Sequence, residues 1–461
     1  MLSETSSRIM KRKGALSRSC SDDEIYAADN KAARASKIRK KGSTGASSDS
    51  NKTTGSEPST VACSEDLASP HDVVDNVDPN MWHVHGNNYD LSKFVDRHPG
   101  GRLAILAGKG RDCTALFESY HPWNDRHRKV LEKYGAKPPP PDPFYLEIQQ
   151  GIRQRFPGGC GSTKMRKRAK LSLSLILFAG LYCFFVIQTY WSCAIAGFVM
   201  ATVGTRMAHE GAHFQVSRSE LVNRVAQFFG YFMTGPSMAW MYRHTISHHA
   251  HTNQAHDIDV EYIWIMDMFP KWIKVIFVFP SIPIGVMIEL GLKFTFVDWM
   301  GLASVGKNPI VYRSLGYAIP EIAIWCYVHW FYGPSIIHYA IMYWVAGAIF
   351  LPMSQIAHLI VFPDHKKYDS WAKMQIAESV DFAADSEFWF HLAFGLTTQI
   401  EHHLFPSIGE HLLGECRPIV REVCKKHGVT YMDVTAKEAL YALWYRMANG
   451  VPYYVPEGGK N

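Results

Sequence analysis

A chain of 461 residues exceeds one ordinary domain, and with 47% hydrophobic and 13% aromatic residues it can build two folded units plus tails. Its net charge of +6 comes with no basic face on a recognisable module, which argues against a nucleic-acid partner. Nine dispersed Cys without a CxxC pair argue against a disulfide framework or zinc knuckle and suit reducing cytosol or a membrane interior, whereas the 22 His are unusually many and clustered.

Residues 1–75 are rich in Ser, Lys and Arg, hold no apolar segment of signal-peptide type, and have too few large apolar residues to fold. A disordered tail is expected there. Its basic stretch Lys31–Lys41 reads as a solvated charge run, with a targeting signal or anionic-lipid contact as alternatives. A compact soluble domain is predicted over 76–143, closing in Lys137-Pro-Pro-Pro-Pro-Asp-Pro143, whose prolines favour a stiff spacer. Residues 144–170 read as a linker and amphipathic connector ending in the basic group Lys164, Arg166, Lys167, Arg168 and Lys170.

Residues 171–450 read as a membrane domain, followed by a tail over 451–461. Leu171–Thr205 holds no charge and no His. As one helix it would extend roughly 50 Å, too long for a hydrocarbon core of about 30 Å, so two spans meeting near Gln188–Ser192 are predicted. Ile322–Phe362 is also free of Asp, Glu, Lys and Arg, and Gly333-Pro334 breaks it into spans near Ser314–Tyr332 and Ser335–Ala357. The basic group before the first span places the N-terminal side in the cytosol. Trp272–Leu290 and Leu221–Met241 are apolar too. Because the His clusters must lie on one membrane face to form one site, an even number of spans separates them, and both segments are assigned to the interface or to burial against protein.

Three His-rich boxes punctuate this domain: His209-Glu-Gly-Ala-His213 after the second span, His244-Thr-Ile-Ser-His248-His249, and Gln399-Ile-Glu-His402-His403 beyond the fourth span. A spacing of four sets two imidazoles side by side on one helical face, within reach of one metal site. Each box alone has ordinary explanations, such as a capped or interfacial His pair. The first also matches the HExxH of zinc proteases, which needs only one further ligand and leaves the other clustered His unexplained. All three together point to a His-rich metal site, and imidazole suits iron. Glu210, Asp257, Asp259 and Glu401 are candidates to orient the rings.

Two resemblances follow from these motifs. The segment Met81–Gly101, with Tyr89-Asp90, Phe94 and His98-Pro-Gly-Gly101, resembles a cytochrome b5 domain. The resemblance implies haem b with two axial imidazoles, His98 and, after a helix pair, His121 of Glu118-Ser-Tyr-His121; His127 is the alternative second ligand. Filling both axial positions leaves the haem able only to pass electrons. The three boxes, with Gln399 opening the third, resemble the membrane fatty-acid desaturases and specifically their front-end members, which carry a fused cytochrome b5 domain.

That likeness covers roughly 77–450. It implies a four-helix α-helical membrane protein with a cytosolic His-rich di-iron cap, preceded by a small α+β haem domain. It implies two iron ions held by His209, His213, His244, His248, His249, His402 and His403, with Gln399 at the variable position and His358 of Ser354-Gln-Ile-Ala-His358 as a further ligand. It also implies dioxygen as co-substrate, electrons from NADH through a cytochrome b5 reductase, an acyl-lipid or acyl-CoA substrate, membrane lipids as neighbours, and residence in the endoplasmic reticulum membrane. The expected reaction is insertion of a cis double bond into an unsaturated acyl chain. Glu210 stands where front-end relatives usually have Asp. The three residues between His244 and His248, with Thr252-Asn253 following, look more like algal and fungal Δ5 or Δ4 enzymes than plant Δ6 ones. Rival readings are a sphingolipid long-chain-base desaturase, an acyl hydroxylase and a non-catalytic membrane haem electron carrier.

Overall fold

A computed structural model of the chain describes residues 78–253, 257, 270–274, 309–361, 368–450 and 453–454. The haem-type module begins with strands Trp82–Val84 and Asn87–Tyr89, paired antiparallel with Trp82 opposite Tyr89. His85 and Gly86 between them both take positive φ, as a two-residue hairpin turn requires. Period-two alternation buries Trp82, Val84 and Tyr89, which form a small core with Leu91, Val95, Ile105, Cys113 and Leu131. Short helices Arg102–Leu106, Thr114–Ser119 and Arg126–Leu131 complete the module.

The connector is more firmly built than a tether. Asp142 caps helix Pro143–Arg155 by accepting from the Phe144 N–H at 3.0 Å. That helix buries Phe144, Tyr145, Ile148 and Ile152 among Ile400, Leu404, Phe405 and Val420, and the Tyr145 hydroxyl donates to the Leu404 carbonyl at 2.7 Å. At about 1.5–3 kcal/mol for each large apolar side chain buried, this contact outweighs the entropy of a few spacer residues. The chain after the haem module is therefore fixed to the third box.

Two helical hairpins follow. Lys167–Tyr182 continues through a π-turn to Ile187, and the chain reverses at Gln188, in the left-handed region, and Thr189, which forms a capping box with Ser192. Tyr190–Val199 then runs through a second π-turn, Met200–Gly204, into Thr205–Ala212, which carries the first box. Pro309–Tyr332 and Ile336–Leu359 form the other hairpin, turning at Gly333-Pro334 where the sequence places the break. The hairpins meet closely at Gly197, where a Cβ would lie 2.4 Å from the Met342 carbonyl oxygen, as small residues permit between membrane helices.

Of these helices, Lys167–Ile187 and Ile336–Leu359 are long and apolar enough to cross a membrane by themselves. Among the described side chains of the hairpins, large apolar ones point outward from Leu171 to Phe198 and from Ile319 to Trp344, and Trp191 and Trp330, 83% and 84% exposed, sit beside the two turns as interfacial aromatics do. Leu221–Met241 is no continuous helix. It breaks at Gly230 and at Gly235-Pro236 into Glu220–Phe229, Tyr231–Thr234 and Ser237–Trp240, the last feeding the second box. Trp272–Leu290 lies outside the described residues apart from its first three.

Candidate metal centre and haem cleft

The first box sits at the end of helix Thr205–Ala212, and its two rings lie 4.7 Å apart between centroids, as i, i+4 spacing predicts. The second box is not α-helical: Met241–His248 is a π-helix. Its wider turn sets residues four and five apart on one face, so both His248 and His249 join His244, at ring separations of 5.3 and 5.0 Å. The third box lies on helix Gln399–Leu404, where i, i+3 and i+4 bring Gln399, His402 and His403 to one side. His358 arrives from the end of helix Ile336–Leu359.

The structure gathers these imidazoles into two buried groups, each able to hold a metal ion: His209, His213, His244 and His402, and His248, His358 and His403. His249 lies between them, its ring 4.4 Å from that of His213 and 4.3 Å from that of His403. Gln399 adjoins the second group, with Nε2 2.9 Å from His358 Nε2 and 3.5 Å from His403 Nε2, while its buried Oε1 has no partner.

Four outward nitrogens are held individually. His248 Nδ1 meets Asp257 at 2.8 Å, His358 Nδ1 the Glu378 carbonyl at 3.0 Å, and His403 Nδ1 the Gln375 amide oxygen at 2.7 Å. His213 Nδ1 meets the Tyr120 hydroxyl at 2.7 Å. Glu410 Oε1 lies 3.0 Å from His402 Nδ1 and 3.5 Å from His209 Nδ1. With Nδ1 of His213, His248, His358 and His403 so engaged, their Nε2 lone pairs face inward, the arrangement that metal-binding imidazoles need, while Nδ1 of His209, His249 and His402 is buried without a hydrogen bond.

Burial, reinforced by neighbouring imidazoles, pushes His249, His402 and His403 down, His402 to about 3, so the rings are neutral. Neutral nitrogens then confront one another, as at His249 Nε2 and His402 Nε2, 3.1 Å apart, and His209 Nε2 and His213 Nε2 are buried without partners. Such a set is costly by itself and fits a bound cation.

The four acids expected to orient the rings divide. Asp257 does so. Glu210 instead pairs with Arg206 at 2.7 Å, and Glu401 accepts from Tyr431 at 2.9 Å. Asp259 lies outside the described residues. Glu410, Gln375 and Tyr120 escaped the sequence reading, because no motif links them to the boxes. Thr252 and Asn253, noted there only as a hint, have evident work: the Thr252 hydroxyl meets His403 Nδ1 at 3.2 Å, and the Asn253 amide donates to the His358 carbonyl at 2.9 Å.

In the haem module, the rings of His98 and His121 stand 6.1 Å apart. Backbone carbonyls fix both Nδ1 atoms, Gly101 for His98 at 3.1 Å and Phe117 for His121 at 2.7 Å. Burial and the His121 ring lower His98 to about 4, leaving a neutral ring with a lone pair on Nε2. A Cβ at Gly100 would sit 2.9 Å from His98 Cε1, so a side chain there would push the His98 ring aside. The pair fits an axial clamp on haem. His127 stacks on His121 at 5.0 Å and anchors its Nδ1 to the Asn124 carbonyl.

Comparison with known proteins agrees with this division. Residues 185–435 match the family described as fatty acid desaturase, and residues 67–136 match the cytochrome b5-like heme/steroid binding domain. The chain is 23% identical to the acyl-lipid omega-13 desaturase of Chlamydomonas reinhardtii, covering 79% of this chain and 91% of that one. It is 25% identical to Delta(5) fatty acid desaturase A of Dictyostelium discoideum, over 82% and 93% of the two chains. With an acyl-lipid (8-3)-desaturase of Physcomitrium patens it shares 26% identity over 77% and 85%. No solved structure matches the chain.

Proposed function

The chain belongs to the fatty acid desaturase family and carries a cytochrome b5-like domain, and from that premise we propose that it is a front-end acyl-lipid desaturase receiving electrons from its own haem. The observation that carries this reading is the pair of buried imidazole groups, with four Nδ1 atoms tied outward, beside a module whose His98 and His121 face each other.

We assign one iron to His209, His213, His244 and His402, and a second to His248, His358 and His403 with Gln399, His249 lying between them. Iron there supplies the one-electron redox chemistry with dioxygen that an unactivated methylene pair demands. The acyl chain loses two hydrogens, dioxygen leaves as two waters, and two electrons and two protons enter. The chain's own residues hold this chemistry in place. Asp257, Glu378 and Gln375 fix ring orientation, and burial keeps bulk water from the site. The electrons come from NADH through a cytochrome b5 reductase, one at a time through the haem.

The double bond enters between an existing one and the carboxyl end, and the relatives' names favour a lipid-bound acyl group and Δ5-type placement as the first to test. Expression in a host lacking polyunsaturated lipids, fed candidate acids one at a time, with double-bond mapping by mass spectrometry, decides this. A new bond toward the carboxyl end is expected. A hydroxylated product, or a desaturated long-chain base alone, would replace this reading.

We further propose four spans in the endoplasmic reticulum membrane, with the boxes cytosolic and only the turns at Gln188–Ser192 and Gly333–Pro334 on the far side. The aromatic residues at those turns and the basic residues before Leu171 support it. A tag inserted after Leu290 is expected to be cut by protease added from the cytosolic side. Protection there would sink the four-span arrangement.

A further inference from the structure

We propose that Tyr120 is the contact through which electrons pass from the haem module to the group His209, His213, His244 and His402, and that it fixes the module in the transferring pose. The inference rests on the functional reading above. Tyr120 follows helix Thr114–Ser119 and is joined by one peptide bond to His121, whose ring faces His98. Its hydroxyl lies 2.7 Å from His213 Nδ1, and the two rings are nearly parallel, 18° apart. His213 Nε2 is buried and turned away, among the rings of His209 and His402 at 4.7 and 4.8 Å. With Nε2 reserved for the metal, Nδ1 carries the proton and donates to the Tyr120 oxygen. One side chain thus spans the boundary between the two sets of histidines.

Independent contacts hold the same pose. Leu103 and Ala107 of the module are buried with Met238, Met241 and Ile246 of the desaturase domain. The Arg111 guanidinium lies over the Tyr242 ring at 4.7 Å, and the Leu103 N–H donates to Glu220 at 3.4 Å. A Cβ at Gly101 would strike the Glu220 carboxylate, so the His98-Pro-Gly-Gly loop belongs to the docking surface. The docked surface joins an apolar cluster to polar contacts from Arg111 and Glu220, the mix that interfaces of defined geometry carry.

The step balances without chemistry at the tyrosine. One electron leaves the ferrous haem, which is oxidised, and one ferric ion of the metal centre is reduced. No bond forms or breaks, and the proton stays between Tyr120 and His213.

The test uses the purified holoenzyme with haem reduced through the reductase, then mixed with dioxygen and acyl substrate while ferrous-haem absorbance is followed. Tyr120→Phe keeps the ring and removes only the hydroxyl. Its ferrous signal should decay roughly tenfold to a hundredfold more slowly than wild type, a loss in the range that small displacements of reacting groups produce. Its haem spectrum, bound iron and rate of haem reduction should match wild type. Leu103→Asp, which disrupts the docking surface, should slow the decay as well with the spectrum intact. Hydrogen exchange in iron-free protein reads the pose without turnover: Met238–Tyr242 should be protected in wild type and opened in Leu103→Asp. Equal exchange in those two proteins would overturn the docked pose. Tyr120→Phe decaying at the wild-type rate, in protein that binds haem and iron and forms product, would overturn only the role of Tyr120. Protein that holds haem but neither iron nor product would overturn the functional reading and this route with it.

Discussion

Gln399→Leu is expected to lose nearly all turnover, while Gln399→His keeps a part of it and protein level is unchanged in both. Gln399 begins the third-box helix, on the face it shares with His402 and His403, and its amide reaches His358 Nε2 at 2.9 Å. Half a turn of that amide brings its oxygen, a weak metal donor, to the same place. Leucine fills the volume but offers no atom to a metal or to a water held by one. Losing the amide's hydrogen bond costs about 1–3 kcal/mol, a fraction of the 5–15 kcal/mol that holds a domain folded. The effect therefore falls on function. Histidine restores a nitrogen at the position and should recover some activity. His402→Ala, by contrast, removes a member of the first group and should lower bound iron as well as turnover. Iron content and product yield, measured side by side, separate these cases. A fully active Gln399→Leu enzyme would place Gln399 outside the metal site, leaving His402 and His403 as the third box's contribution.

His121→Ala is expected to abolish the low-spin haem spectrum and, with it, turnover supported by NADH. The membrane domain should still insert, because the module has a core of its own around Trp82, Tyr89 and Leu131. His98→Ala should behave alike, since each ring would supply one side of the proposed axial clamp. The arrangement also shows what a surprise would mean. His127 stacks against His121, with its Nε2 buried and unpartnered, so it is the nearest replacement. A normal spectrum in His121→Ala would move the second axial role to His127. The absorbance spectrum of the purified variants, oxidised and reduced, decides it.

Much of this organisation was legible along the chain. Helix breaks at Gln188 and Gly333-Pro334 fall where charge-free runs are too long for one span, because backbone conformation at such points is a local property. The same holds for the hairpin Trp82–Tyr89 and for the i, i+4 pair His209 and His213. His358 came from the family resemblance, which implies a further ligand there, and the structure brings it beside His248 and His403.

Other features depend on the folded partners. In the second box an α-helix would carry His249 off the face of His244, and the π-helix Met241–His248 brings it back; the sequence pattern alone is silent on that choice. Glu210 looked fit to orient a ring but is held by Arg206 one turn earlier, whereas Glu410, eight residues past His402, is the carboxyl group that lies beside the His402 and His209 rings. The connector, read as a linker, is anchored because its apolar face meets Ile400 and Leu404, more than two hundred residues away.

The sequence by itself determined the modules, their order, the helical hairpins and the residue types of the candidate metal site. These follow from composition, period and turn chemistry, which act over a few residues. Only the tertiary structure decided how eight histidines divide into two groups with His249 between, which side chains hold their outer nitrogens, and that Tyr120 of one module meets His213 of the other. Those are contacts between segments distant in the chain, set by packing and hydrogen-bond geometry that leave no periodic trace in one sequence.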